Sequence, residues 1–238
     1  MTNHPKSLKV DGPFTHSNLS LYLLTLPDTE TRTGAQHFMP FDRAIVEKTV
    51  VVHETGTVGQ LEVENLSPGI DVFIQDGDIV RGGRQDRVVR TDFILPAKSG
   101  RLPLPTFCVE RTRWGRRGHE AMGLFSSSKH SLNARSLRAK MRSGQTSQQV
   151  MWEEVSKMQC KLSASIGENV AASSSPSSMD LTLDHKALER RRKAVREELG
   201  SLREKYPQAT GMIVAINGRI AGGDLYFNGE LFGQLWER

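Results

Sequence analysis

Only two cysteines, Cys108 and Cys160, occur in the 238 residues, and they do not form a Cys-x-x-Cys pair. That excludes a disulfide framework and the usual cysteine-rich zinc sites, and both are expected as reduced thiols. The seven histidines, at positions 4, 16, 37, 53, 119, 130 and 185, show no ligand spacing, so no metal site is expected. No apolar run approaches the ~18 residues of a membrane span. The stretch LSLYLLTLP from Leu19 lacks a basic n-region and a small-residue cleavage site, and reads as a strand rather than a signal peptide. No membrane partner is expected, and the default address is the cytoplasm. The Walker loop, G-x-G-x-x-G, H-E-x-x-H and G-x-S-x-G are all missing. No cofactor can be named from such signatures.

Charge is present but uneven. The net value is +5, yet residues 111–142 hold nine Lys/Arg against the single acid Glu120, so this block carries +8 and the remainder −3. Such a block suits nucleic acid, nucleotide phosphates or an acidic partner. Few aromatics interleave with it, so base stacking is poorly supported and nucleic acid is not the expected partner.

Residues 1–13 are polar with Pro and Gly and read as a loose terminus. Short strands with turn punctuation follow from Leu19 to Cys108. They include VGQLEVENL (58–66), with Leu61, Val63 and Asn65 on one face, RVVRTDFIL (87–95) and RLPLPTFCVE (101–110). AIVEKTVVVHE (44–54) reads as a strand, or a short helix and then a strand. Asp76-Gly77 is a hairpin signal. Pro103 and Pro105 place their strand at a sheet edge. Residues 115–132 read as a long basic loop. The period then becomes helical: Met151, Val155, Met158 and Leu162 share a face, with Gly144 a candidate break. A Ser-rich linker (168–180) precedes a helix over 185–206, with Asp184 its expected N-cap and Pro207 its stop. Asn217-Gly218 predicts a type I′ hairpin, and Asn228 caps a short final helix. The fold class is α+β. An N-terminal antiparallel β-sandwich or barrel-like sheet, two middle helices and a C-terminal β-hairpin with a short helix are expected to form one compact domain over 1–238.

Chemistry concentrates in GGRQDR (82–87) and CVERTRW (108–114). Gly82-Gly83 permits positive φ and a nest of N–H groups for an anion. Arg84 and Arg87 offer forked donors for phosphate or carboxylate. Gln85 could read a base or sugar edge. Asp86 could orient an arginine or accept from a ribose hydroxyl. Along 101–110, Thr106, Cys108 and Glu110 share one face, Phe107 and Val109 the other. A neighbouring carboxylate disfavours a thiolate, so Glu110 rather than Cys108 is the candidate acid/base, paired with Asp86. Arg113 and Trp114 can stack on a planar ring or on one another. Gly222-Gly223 before Asp224 marks a bulge or close backbone approach, with Asp224 a weaker ligand candidate.

Together GGRQDR, Leu95-Pro96, LPTFCVERTRW and the terminal GMIVAINGRIAGGDLYFNGELFGQLW resemble the ARG-and-rhodanese-phosphatase-superfamily-associated protein domain family. Order and spacing match over 60–236, the middle helices in type only. The resemblance implies a family that tends to continue past the final helix, whereas this chain ends at Arg238. Its name records gene association with ADP-ribosylglycohydrolases and a phosphatase-like superfamily. The resemblance therefore implies a role near NAD or ADP-ribose metabolism, assigns no catalytic residue, and points to Gln85, Asp86, Arg87, Cys108, Glu110, Arg113, Trp114 and Asp224. The leading expectation is a module that binds a phosphate-bearing nucleotide metabolite. A hydrolase or transferase acting on an ADP-ribosyl or phosphate bond is one alternative. A non-enzymatic protein-interaction module, with a protein partner or a second copy, is another.

Overall fold

The computed structural model describes residues 7–27, 37–115, 124–144 and 146–236. Strands β1 (Lys9–His16) and β2 (Leu19–Thr25) open the chain. Next come β3 (Phe38–Pro40), α1 (Phe41–Val46), β4 (Val50–Glu54), β5 (Gln60–Asn65), β6 (Asp71–Ile74) and β7 (Asp78–Gly82). Then follow β8 (Arg87–Val89), β9 (Phe93–Leu95), β10 (Arg101–Cys108) and β11 (Phe125–Ser131). Helices α2 (Arg135–Arg142), α3 (Gln148–Ile166), α4 (Met179–Leu183), α5 (Lys186–Leu199) and α6 (Leu202–Lys205) come before β12 (Gly211–Ile216), β13 (Arg219–Leu225) and α7 (Gly229–Leu235). The class is α+β. The chain divides into two units, one of residues 38–191 and one built from 1–37 and 192–238, with the division falling inside α5.

The terminal unit is a four-stranded antiparallel sheet in the order β1-β2-β12-β13. Residues 9–11 of the expected loose terminus are thus paired, Val10 with Leu24 for example. Asn217 and Gly218 take φ of 51° and 71° between β12 and β13, the backbone a type I′ turn requires. Leu21, Leu23, Leu199, Leu202, Ala209 and Phe232 form the core of this unit. The Asn228 side chain accepts from the Leu231 amide at 2.8 Å, capping α7 as expected.

The central unit holds a curled six-stranded sheet, a half-barrel in the order β11-β7-β8-β10-β5-β4, and a smaller sheet, β3-β6-β9. Leu61, Val63, Val80, Val89 and Leu104 look into one core cluster; Ile79, Val88, Phe107 and Val109 look into a second, which Met151 and Val155 of α3 complete. The alternation read from 58–66 is observed, with Leu61, Val63 and Asn65 all buried.

Several local expectations change. The run 87–95 is not one strand: β8 pairs with β7 and β10, while β9 pairs with β6. Asp76-Gly77 turns the chain from one sheet to another instead of closing a hairpin, because Arg138 donates to Asp76 at 2.8 Å and Gly77 N–H donates to the Val89 carbonyl at 3.0 Å. The strand with Pro103 and Pro105 lies inside the sheet order. Its residues 101–105 pair only with β5 and 106–108 only with β8, so the prolines sit where one flank needs no donor. Residues 125–131, expected within a loop, form β11 against β7, and 116–123 of that loop lie outside the described residues. Asp184 ends α4 rather than capping the next helix, and its carboxylate takes His130 at 3.0 Å and Lys129 at 3.2 Å. Gly200 and Ser201 split the expected 185–206 helix into α5 and α6.

Candidate functional site

Two strand ends bring the motif halves together. β8 and β10 pair antiparallel with Arg87 opposite Cys108 and Val89 opposite Thr106. The turn 83–86 then stands beside the segment that follows β10, and Val109 N–H donates to the Asp86 carbonyl at 3.0 Å.

Arg113 is the hub. Its Nε donates to Glu110 Oε2 at 2.7 Å and its Nη2 to Asp86 Oδ1 at 3.2 Å. Nη1 donates to the Gly83 and Gly115 carbonyls at 2.8 and 2.7 Å, and Nη2 also to the Gly82 carbonyl at 3.3 Å. One planar guanidinium therefore ties both carboxylates to the glycine turn, a role its fork permits and an ammonium does not. Asp86 and Glu110 are fully buried. Asp86 also accepts from Gly82 N–H at 3.1 Å and Ser178 Oγ at 3.1 Å. Glu110 also accepts from Asp86 N–H at 3.1 Å and Ser175 Oγ at 2.6 Å. Every carboxylate oxygen of the pair thus has an internal donor.

The glycines fit this packing. Gly82 has φ +110° and a Cβ there would lie 2.4 Å from the Leu124 carbonyl oxygen; Gly83 has φ +55° and a Cβ there would strike the Phe125 ring. Their N–H groups do not stand open as an anion nest. Gly82 N–H goes to Asp86, Gly83 N–H to the Leu124 carbonyl and Arg84 N–H to Glu54 Oε2. Gln85 is likewise occupied: its Nε2 donates to the Glu110 carbonyl at 3.1 Å and its Oε1 accepts from Arg87 Nη1 at 3.2 Å.

What faces outward is Trp114, half-exposed at 50%. The Arg84 guanidinium carbon lies 5.2 Å from its ring centroid and that of Arg87 lies 6.0 Å away. Both are within cation–π range. Arg87 itself is fully buried, and burial pulls its pKa down. Cys108 is buried too; burial pushes its thiol up, and its Sγ donates to the Glu110 carbonyl at 3.3 Å. That is a packed thiol rather than a thiolate.

Asp224 lies on β13 in the terminal unit, in register with Met212. The strand register slips beside Gly222, and a Cβ on Gly223 would meet the Met212 carbonyl oxygen at 2.8 Å, so the glycine pair marks both a bulge and a close approach. Sequence reading missed Ser175, Ser178 and Glu54. The serines belong to the expected linker, which instead folds back so that Ser178 both caps α4 and holds Asp86. Nothing in a serine run tells a buried hydroxyl from an exposed one. Behind them, buried Asp180 accepts from Ser128 Oγ and faces Arg81 Nε at 3.0 Å; burial pushes its carboxyl up.

The basic block is largely neutralised where it is described. Arg138 and Arg142 hold Asp76, Lys140 holds Glu154 and Lys129 holds Asp184. Among the described residues no His, Cys, Asp or Glu set is placed to hold a metal ion, and no helix is long and apolar enough to cross a membrane. No curated protein and no solved structure matches the chain. The family model of the ARG and Rhodanese-Phosphatase-superfamily-associated Protein domain matches residues 7–238, and the chain belongs to that family.

Proposed function

We propose that the protein binds a phosphate-bearing nucleotide metabolite of NAD or ADP-ribose metabolism at the Arg84–Arg87–Trp114 corner of the central unit. The observation that supports this most is the half-exposed indole of Trp114 with two guanidinium groups 5.2 and 6.0 Å from its ring centroid. A planar base can stack on the indole while Arg84 beside it meets its phosphates. The family description carries an association with ARG, which, taken as the ADP-ribosylglycohydrolases that the sequence resemblance implies, adds the ADP-ribosyl context. Binding is favoured over hydrolysis or transfer, because Asp86 and Glu110 already accept from Arg113, two serines and two backbone amides. A general acid or base has to reach the proton it moves.

Calorimetric titration with ADP-ribose, NAD and ADP tests the reading. Binding of at least one of them is expected, and it should vanish in Trp114→Ala, a surface change that leaves the core intact. At 100 times its Kd such a ligand raises stability by ~2.7 kcal/mol. No heat and no thermal shift with any of the three would sink the reading.

A further inference from the structure

Arg87 carries an unused edge. Its Nη1 donates to the Gln85 carbonyl and to Gln85 Oε1 at 3.1 and 3.2 Å. Nε and Nη2 are buried and have no hydrogen-bond acceptor among the described residues. These two nitrogens form the side-on edge of the guanidinium, the edge that meets two oxygens of one oxyanion through parallel N–H···O bonds. Thr106 Oγ1 is also buried and unpartnered. The register puts Thr106 on the same sheet face as Arg87 and diagonal to it, since Arg87 pairs with Cys108 and Val89 with Thr106. Buried polar atoms are nearly always satisfied, so three orphans on one face ask for a guest. Carboxylates nearby attract the guanidinium through space, Glu54 more than Asp86, but neither accepts from this edge. Asp86 and Glu110 belong to Arg113, and the oxygens of Glu54 accept from the Gly56 and Arg84 amides at 3.1 Å each.

The geometry points to a buried oxyanion subsite formed by the Nε–Nη2 edge of Arg87 with the Thr106 hydroxyl, which takes a monoanionic group, a phosphodiester-type phosphate or a carboxylate. With Glu54 and Asp86 already attracting this guanidinium, a dianion buried beside it would retain more uncompensated charge than a monoanion, at high desolvation cost. For a phosphate source the inference rests on the proposed nucleotide reading and deepens it: a pyrophosphate-linked ligand presents singly charged phosphates, a terminal monoester does not.

The test follows the Arg87 Nε–H resonance, assigned by through-bond experiments, during titration of the whole protein with ADP-ribose, dimethyl phosphate, acetate and AMP. ADP-ribose, or one of the two small monoanions, should move that resonance, with AMP weaker than ADP-ribose. Thr106→Val should weaken the responding probe severalfold, and Arg87→Lys should weaken it about tenfold or more, since the paired hydrogen bonds are lost while the charge stays. Dimethyl phosphate or acetate moving Arg87 while no nucleotide binds would support the subsite and remove the nucleotide reading. A nucleotide that binds through Trp114 and leaves the Arg87 resonance unmoved would overturn the subsite alone. A resonance unmoved by every probe overturns it as well.

Discussion

Arg113 is 9% exposed and neutralises two fully buried carboxylates. Arg113→Ala would take from both buried charges the cation that bonds them, at a cost of about 3–5 kcal/mol. Arg113→Lys keeps the charge but loses the fork, and should recover only part of this. Urea unfolding midpoints of the two variants check the order. A second residue gives a pH signature. Burial works to raise the Asp76 carboxyl, but the hydrogen bonds from Arg138 and Arg142 outweigh it and hold it below its ordinary value. A depressed carboxylate adds stability above its unfolded pKa, near 3.9, and loses it as pH falls through the lower folded value. Asp76→Asn should therefore flatten the fall in stability below about pH 4 relative to the chain that keeps Asp76. Asp92, pushed up chiefly by burial and in part by the Asp76 charge, contributes with the opposite sign, so the comparison is made in an Asp92→Asn background.

At the scale of elements, the glycine turn after β7 separates geometric need from mere looseness. Gly82→Ala combines φ +110° with a Cβ 2.4 Å from the Leu124 carbonyl oxygen, whereas Gly100→Ala, at φ +64°, meets nothing within 4 Å. The first should cost about 2–4 kcal/mol, the second about 1 kcal/mol. Equal losses in melting temperature would refute the role given to this turn. Local chemistry was legible wherever it is decided by neighbours in the chain. Asn217-Gly218, the Asn228 cap, the alternation of Leu61, Val63 and Asn65, and the α3 face of Met151 and Val155 all follow from turn preference or periodicity. The failures occur where a distant group decides. Arg138 and Arg142 hold Asp76 at a sheet-switching turn, and His130 with Lys129 holds Asp184 away from a capping role.

For the whole molecule, the central unit is one continuous stretch with two hydrophobic clusters of its own. Residues 38–191 expressed alone should unfold cooperatively, a result that also tests the sequence expectation of a single compact domain. Residues 1–37 alone should stay unfolded, because β2 needs β12 from the far end of the chain. The +8 of residues 111–142 is largely compensated by acids from other segments wherever that block is described, so oligonucleotide affinity should be weak despite the basic sequence. Fluorescence anisotropy at several salt concentrations checks this; tight, steeply salt-dependent binding would contradict it.

By itself the sequence determined the α+β class, the family, and the two motif halves that form the candidate site, because composition, periodicity and residue identity are local properties. Only the tertiary structure decided that Arg113 would bind Asp86 and Glu110 together, that Ser175 and Ser178 would leave the solvent to join them, and that Arg87 would be buried with one edge unspent. Those outcomes depend on which β-strands become neighbours and in what register. Pairing Arg87 with Cys108 is a long-range choice made by the whole core.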